Sequence, residues 1–264
     1  MVLFSRPWRI GLMFVVAIAV AVVPAKSPAQ PRPQFNERTI EPELNPNDKE
    51  GVWTLHFKFK DPRVIPIDVP GRGRKIVWYM WYQVYNMTGE PRPLVPEFEL
   101  VTLDRNTVHT DEILPTVQMA IAKREDDTGR LDIKNSVTIQ KDLIPVTKKE
   151  SFPRAVTGLA IWSDVYDRAP DTNHFYIFVS GLSNGMTDED DRGVRRRKTL
   201  QLEFKRLGNA QPEGGPIKWT ERAEWVYRAT ASSGKATPKK NEAAAENVEP
   251  KEKKPDVPKK EEKE

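Results

Sequence analysis

The sequence predicts a mostly β domain, an antiparallel immunoglobulin-like β-sandwich with one short helix. Three observations lead to this fold class. Apolar residues recur with a period of two in several short segments, and turn-forming residues such as Asp171-Thr172-Asn173 separate them. Helical segments do not alternate with the strands, which argues against a parallel α/β fold. Residues 51–229 are numerous enough to form one such domain with its own core.

The first predicted strand covers residues 53–60, where aromatic and leucine side chains alternate with polar ones. This alternation is typical of a strand with one buried and one solvated face. Residues 76–86 are apolar on both parities, which predicts a central strand covered on both sides or a strand with one face turned to a ligand. Further strands are predicted at 97–103, 156–162, 174–180, 199–207 and 217–228, with a weaker candidate at 137–139.

One segment, residues 115–124, predicts a short helix packed across one end of the sheets. Pro115 suits the first turn, and Thr110 or Asp111 are candidate caps. The helical prediction rests on three apolar residues at helical spacing, which are Leu114, Val117 and Ile121.

Residues 1–29 predict a cleavable export signal. Two arginines and no acid precede an apolar run at 10–23, and Ser27 and Ala29 place small residues before the expected cleavage point. The alternative is an uncleaved anchor, but a run of 14 residues is short of the roughly 20 that cross a bilayer. We therefore expect a periplasmic or extracellular protein with no stable membrane span after cleavage. Because the chain has no cysteine, its core alone must hold the fold.

The charge distribution argues against a nucleic-acid partner. The net charge of +4 belongs to the two ends, because residues 1–29 contribute +3 and residues 235–264 contribute +1. Residues 30–234 therefore carry no net charge, and phosphate binding needs clustered cations. Residues 30–50 predict an extended leader, and the Lys/Glu/Pro-rich residues 230–264 predict a disordered tail.

Catalytic and metal motifs receive little support from the sequence. Gly181-Leu182-Ser183-Asn184-Gly185 matches the G-x-S-x-G nucleophile elbow, but a polar loop follows it and no histidine comes after Ser183. A hairpin loop is the favoured interpretation. The three histidines lack metal-ligand spacing, and the acidic run at 188–191 lacks the spaced ligands of an EF-hand. We expect no catalytic residue, no metal and no cofactor.

The aromatic stretch within 76–86 provides the one candidate ligand surface. Rings on a sheet face can stack on sugars or grip a peptide, whereas core packing explains the same residues more simply. The ligand interpretation requires the candidates to be exposed together. The candidate ligand-binding residues are Tyr79, Trp81, Gln83 and Tyr85.

Several sequence runs between residues 50 and 207 form a recognisable set. They are 81–90 (WYQVYNMTGE), 95–102 (VPEFELVT), 114–118, 124–126, 156–162 (VTGLAIW), 179–184 (VSGLSN) and 198–202. With these runs, most of residues 50–207 resembles a group of exported bacterial β-sandwich proteins of uncharacterised function. The resemblance implies a single exported domain, and it implies no activity, ligand or catalytic residue.

These observations predict a noncatalytic envelope protein with a binding or structural role. Its partner would be an envelope polysaccharide or another envelope protein. One alternative is a carbohydrate-binding module that uses the aromatic strand. The other is a hydrolase that uses Ser183 or an acidic pair.

Overall fold

A computed structural model describes residues 36–148, 151–152, 154–190, 193–207 and 215–229. The predicted export signal and the predicted tail at 230–264 lie outside the described residues. In chain order the strands are β1 (Glu37–Ile40), β2 (His56–Lys60), β3 (Arg63–Val69), β4 (Gly73–Tyr85), β5 (Glu97–Thr102), β6 (Val108–Thr110), β7 (Ile133–Lys134), β8 (Val156–Trp162), β9 (His174–Ser180), β10 (Arg197–Arg206) and β11 (Ile217–Arg228). The helices are α1 (Pro115–Glu125), α2 (Val165–Arg168) and a 3-10 helix at Thr138–Lys141.

The strands form two sheets, so the prediction of a mostly β protein is confirmed. The six-stranded sheet has the order β1-β2-β4-β8-β7, and β3 also pairs with β4. The five-stranded sheet has the order β11-β10-β9-β5-β6. All of these pairs are antiparallel except β7 with β8. The prediction of one short helix is confirmed by α1, since α2 is a single turn.

Aromatic side chains from the two sheets meet in one core. The ring of Trp78 lies 5.4 Å from that of Phe175, and the ring of Tyr82 lies 4.7 Å from that of Phe98. Phe59 reaches Phe204 in the same way. Strand alternation explains this packing, because the inward residues of β2 and β4 are apolar and fully buried.

Strand β4 is apolar on both parities because it is covered on both sides. Its second face forms a separate cluster in which Val117 and Ile121 of α1 pack on Tyr79 and Trp81. The sequence predicted a covered central strand or a ligand-facing strand, and the structure shows the covered one.

Several local predictions were wrong, each for a physical reason. Residues 137–139 are not a strand, because the Asn135 side chain accepts the Val137 and Thr138 amides and starts a helical turn. Neither Thr110 nor Asp111 caps α1. Its N-cap is Leu114, which has no side-chain capping bond.

The segment that follows β1 is attached to the five-stranded sheet. The buried ammonium of Lys198 donates to Asp48 at 2.5 Å and to the Glu43 carbonyl at 2.6 Å. The Tyr227 hydroxyl donates to the other oxygen of Asp48 at 2.8 Å, and the Trp225 indole donates to the Glu41 carbonyl. Part of the predicted leader at 30–50 therefore contributes a strand and a packed segment to the domain.

Among the described residues, no helix has the length and apolar character needed to cross a membrane.

Candidate functional site

The four residues predicted to form a ligand surface on β4 are not exposed together. Tyr79 and Trp81 are 1% and 3% exposed, while Gln83 and Tyr85 are half-buried. Gln83 donates to Thr157, and Tyr85 stacks on His56 with ring centroids 4.8 Å apart. The side chains of this surface are thus engaged within the protein.

A buried carboxylate explains why the first two of these residues are covered. Glu125, at the end of α1, accepts hydrogen bonds from the Tyr79 hydroxyl at 2.8 Å, from Arg63 at 2.7 Å and from Lys60 at 3.0 Å. The Lys60 ammonium also lies 4.4 Å from the Trp81 ring. Burial, and next the charge of Glu125, raise the pKa of Tyr79 to about 12. This network fixes α1 on the outer face of β4.

Ser183 does not occupy a nucleophile elbow. It pairs with Thr54 in an isolated β-bridge, and no helix follows it in the part of the chain that the structure describes. Its hydroxyl donates to the Trp53 carbonyl at 2.6 Å and accepts the Gly185 amide at 3.1 Å. The hydroxyl therefore serves to join the loop after β9 to the chain before β2.

The described part of the acidic run, residues 188–190, forms ion pairs. Asp188 pairs with Lys49, and Glu189 pairs with Arg195. Within the described ranges, no group of three His, Asp or Glu side chains is placed to hold a metal ion.

The outer face of the five-stranded sheet carries the aromatic residues that remain partly exposed. Alternation along β9 points His174, Tyr176 and Phe178 outward, and all three are half-buried. Their rings follow one another at 6.2 Å and 5.8 Å. The Phe178 ring is covered by the Arg228 guanidinium, 3.9 Å from its centre, so Tyr176 is the more open ring.

A groove of about 480 Å³ opens beside Tyr176. Its lining includes Tyr176 of β9, Gln201 and Glu203 of β10, and Glu221, Arg222 and Glu224 of β11. The pairing of β10 with β11 is irregular between Leu202 and Phe204. At this position β11 has more residues than β10, so its chain bulges beside Glu203. Glu221 lies in this irregular stretch with a φ of 65°, a left-handed conformation that is uncommon for a residue other than glycine. The irregular segment of β11 therefore forms one wall of the groove.

The base of the groove is internally neutralised. Glu203 is almost buried, and the Nε2 atom of His174 donates to it across 2.6 Å. The Arg222 guanidinium lies 3.4 Å from its other oxygen. Burial acts to raise the pKa of Glu203, but the His174 hydrogen bond and the Arg222 charge outweigh burial and bring it below its ordinary value. Glu203 therefore stays ionised and paired.

The remaining outward carboxylates of this sheet differ in whether they have partners. Glu97 pairs with Arg197, and Glu99 pairs with Arg228. In contrast, the exposed carboxylates of Glu221 and Glu224 have no hydrogen bond or ion pair with any residue that the structure describes. Among these outward carboxylates, the ones without a partner are thus the two that line the groove.

Sequence reasoning missed this groove, although one signal for it was present. The outward parity of the predicted strand 174–180 carries three rings, a pattern visible without the structure. The irregular pairing around Glu221 had no such signal, because it depends on how β11 meets β10. No protein-family model, curated protein or solved structure matches this chain.

Proposed function

We propose that this chain is an exported, noncatalytic binding protein whose ligand surface is the outer face of the five-stranded sheet. The observation that carries the proposal is the groove beside Tyr176, where unpaired carboxylates meet an open aromatic ring. A concave site with converging polar groups and a ring is the usual form of a ligand site. The engagement of the Ser183 hydroxyl by the Trp53 carbonyl supports a noncatalytic role over a hydrolase.

Amide hydrogen exchange tests this surface directly. The full-length protein would be mixed separately with an envelope polysaccharide fraction and an envelope protein fraction, and exchange would be mapped along the chain. We expect slower exchange in β9 to β11 with one fraction, and loss of that protection in Tyr176→Ala. Met119→Ala is the matched control, because Met119 is 66% exposed on α1. Protection confined to other elements would refute the assignment.

The export proposal rests on the charged, apolar and small-residue regions of residues 1–29. Expression in a bacterium, cell fractionation and N-terminal sequencing would test it. We expect a periplasmic or secreted product that begins at Gln30. A full-length cytoplasmic product would contradict it.

The finer fold proposal is a β-sandwich of immunoglobulin-like type. The rings that meet between the two sheets support the sandwich. The chain crosses between the sheets three times, from β4 to β5, from β6 to β7 and from β8 to β9. Superposition of an experimental structure on immunoglobulin-like domains would test the finer assignment, and a different strand connectivity would overturn it.

A carbohydrate-binding role is the second candidate, now placed on β9 rather than β4. The half-exposed Tyr176 and Gln201 line the same groove, and rings with planar polar side chains suit a saccharide. A glycan array with Tyr176→Ala as the comparison would test this role.

A further inference from the structure

We propose that the groove binds lysine or arginine side chains presented by a partner polypeptide. This inference rests on the proposed binding function and names the chemistry of the ligand.

Charge complementarity is the first support. Arg222 neutralises the charge of the Glu203 carboxylate, which also accepts a hydrogen bond from His174. The carboxylates of Glu97 and Glu99 on the same face are paired with arginines. What remains at the groove is the charge of Glu221 and Glu224, about two negative charges with no partner among the described residues. Lys205, the next outward residue of β10, does not line the groove.

The aromatic ring is the second support. A cation over the face of a tyrosine is attracted by the ring quadrupole, and nearby carboxylates add to that attraction. Tyr176 faces the same groove as Glu221 and Glu224, so one ammonium or guanidinium group can approach the ring and a carboxylate. The methylene stem of a lysine or arginine would lie along the edge of the Tyr176 ring.

The size of the groove fits side chains of an extended segment. It spans three neighbouring strands, β9 to β11, and adjacent strands are about 4.8 Å apart. A volume of about 480 Å³ holds one or two long side chains, while the polypeptide that bears them stays outside.

A neutral saccharide suits this groove less well than a cation does. Covering two unpaired carboxylates with an uncharged ligand removes water from them without supplying a positive charge, which is unfavourable. A nucleic acid would add repulsion. The partner chemistry that offsets the cost of covering Glu221 and Glu224 is a basic one.

The test uses the full chain and a fluorescein-labelled octalysine peptide, with fluorescence anisotropy at low and high salt. We expect binding that weakens as salt rises, because the attraction is between partly exposed charges. Glu221→Gln with Glu224→Gln should weaken binding about tenfold, the sum of two exposed charge contacts. Tyr176→Ala should weaken it by a further factor of about three.

The matched control is Asp68→Asn with Asp127→Asn, which changes the net charge equally at exposed carboxylates outside the five-stranded sheet. This control should alter binding less than about twofold. If it weakens binding as much as the groove variant does, the attraction is nonspecific and the inference is wrong.

The remaining outcomes separate the inference from the function on which it rests. If octalysine does not bind but a glycan binds and is lost in Tyr176→Ala, the cationic assignment is overturned and the binding surface stands. If neither ligand binds at the groove and exchange with the envelope fractions shows no protection there, both proposals fail.

Discussion

The buried carboxyl of Asp111 should make the stability of the protein depend on pH. One oxygen accepts the Ile161 amide at 2.7 Å, and the other accepts the Ser136 hydroxyl. Burial outweighs these hydrogen bonds and raises the pKa from 3.8 to about 6, with a small contribution in the same direction from Glu112. The folded state therefore holds a proton at Asp111 more tightly than the unfolded chain does.

The sign and size of the effect follow from this difference. Stability from protonated Asp111 is fully present below pH 3.8 and is lost as the pH rises through about 6. At about 1.4 kcal/mol for each pKa unit, the loss is about 3 kcal/mol. This figure is an upper limit, because Asp111 as a whole residue is only half-buried.

Urea unfolding followed by tryptophan fluorescence would measure the effect in wild type and in Asp111→Asn. Other groups also titrate, so the quantity of interest is the difference in unfolding free energy between the two proteins. From about pH 4 to about pH 7 this difference should move by up to about 3 kcal/mol in favour of the asparagine variant. Asp127→Asn, at an exposed position, is the control. A difference that stays constant with pH would refute the reasoning.

Three further predictions concern buried polar groups and close packing. Glu125→Gln removes the carboxylate charge that pairs with both Lys60 and Arg63, so urea unfolding should show an unfolding free energy lower by about 2 to 4 kcal/mol. An unchanged urea midpoint would contradict the role of this network. Lys198→Met leaves Asp48 without its cation and should lower the free energy of unfolding by about 3 kcal/mol. Adding Asp48→Asn should restore part of this loss, because the unpaired carboxylate is then removed. If the double variant is no more stable than Lys198→Met, the two residues do not stabilise the fold as a pair. Gly158→Ala would place a methyl group 2.3 Å from the Tyr82 ring, and this overlap should lower the melting temperature. An unchanged melting temperature would show that the ring can move aside.

Much of the fold could be predicted because the decisive pattern is local. Strands β8, β9 and β11 have the bounds that alternation predicted, and α1 ends one residue beyond its prediction. Burial alternates from His174 to Val179 in β9, as parity predicts, and the buried residues of α1 are Val117 and Ile121, as the helical spacing predicts.

The elements that were missed depend on distant partners. Strand β1 has four residues and is defined by its pairing with β2, while β3 contains Pro66 and pairs along β4. No local period marks either of them. The 3-10 helix at Thr138–Lys141 was mistaken for a strand because its apolar residues suit both structures, and the Asn135 side chain decides between them.

The location of the candidate site was missed for a related reason. Both β4 and β9 carry alternating rings, and the sequence does not say which outer face a helix covers. Helix α1 covers β4 through Val117, Ile121 and the Glu125 network, whereas the rings of β9 remain half-exposed. Exposure is a tertiary property, and it favours β9 over β4 as the candidate surface.

The attachment of residues 41–48 to β10 and β11 bears on when the domain can close during synthesis. The bonds from Asn45 to Trp225 and from Trp225 to Glu41 join positions 180 and 184 apart in the chain. Such contacts carry a large loop-closure entropy, and none of them can form before the last strand has been made. The contacts that attach residues 41–48 to β11 are therefore missing until β11 has emerged, so a partly synthesised chain cannot bind this segment to that strand.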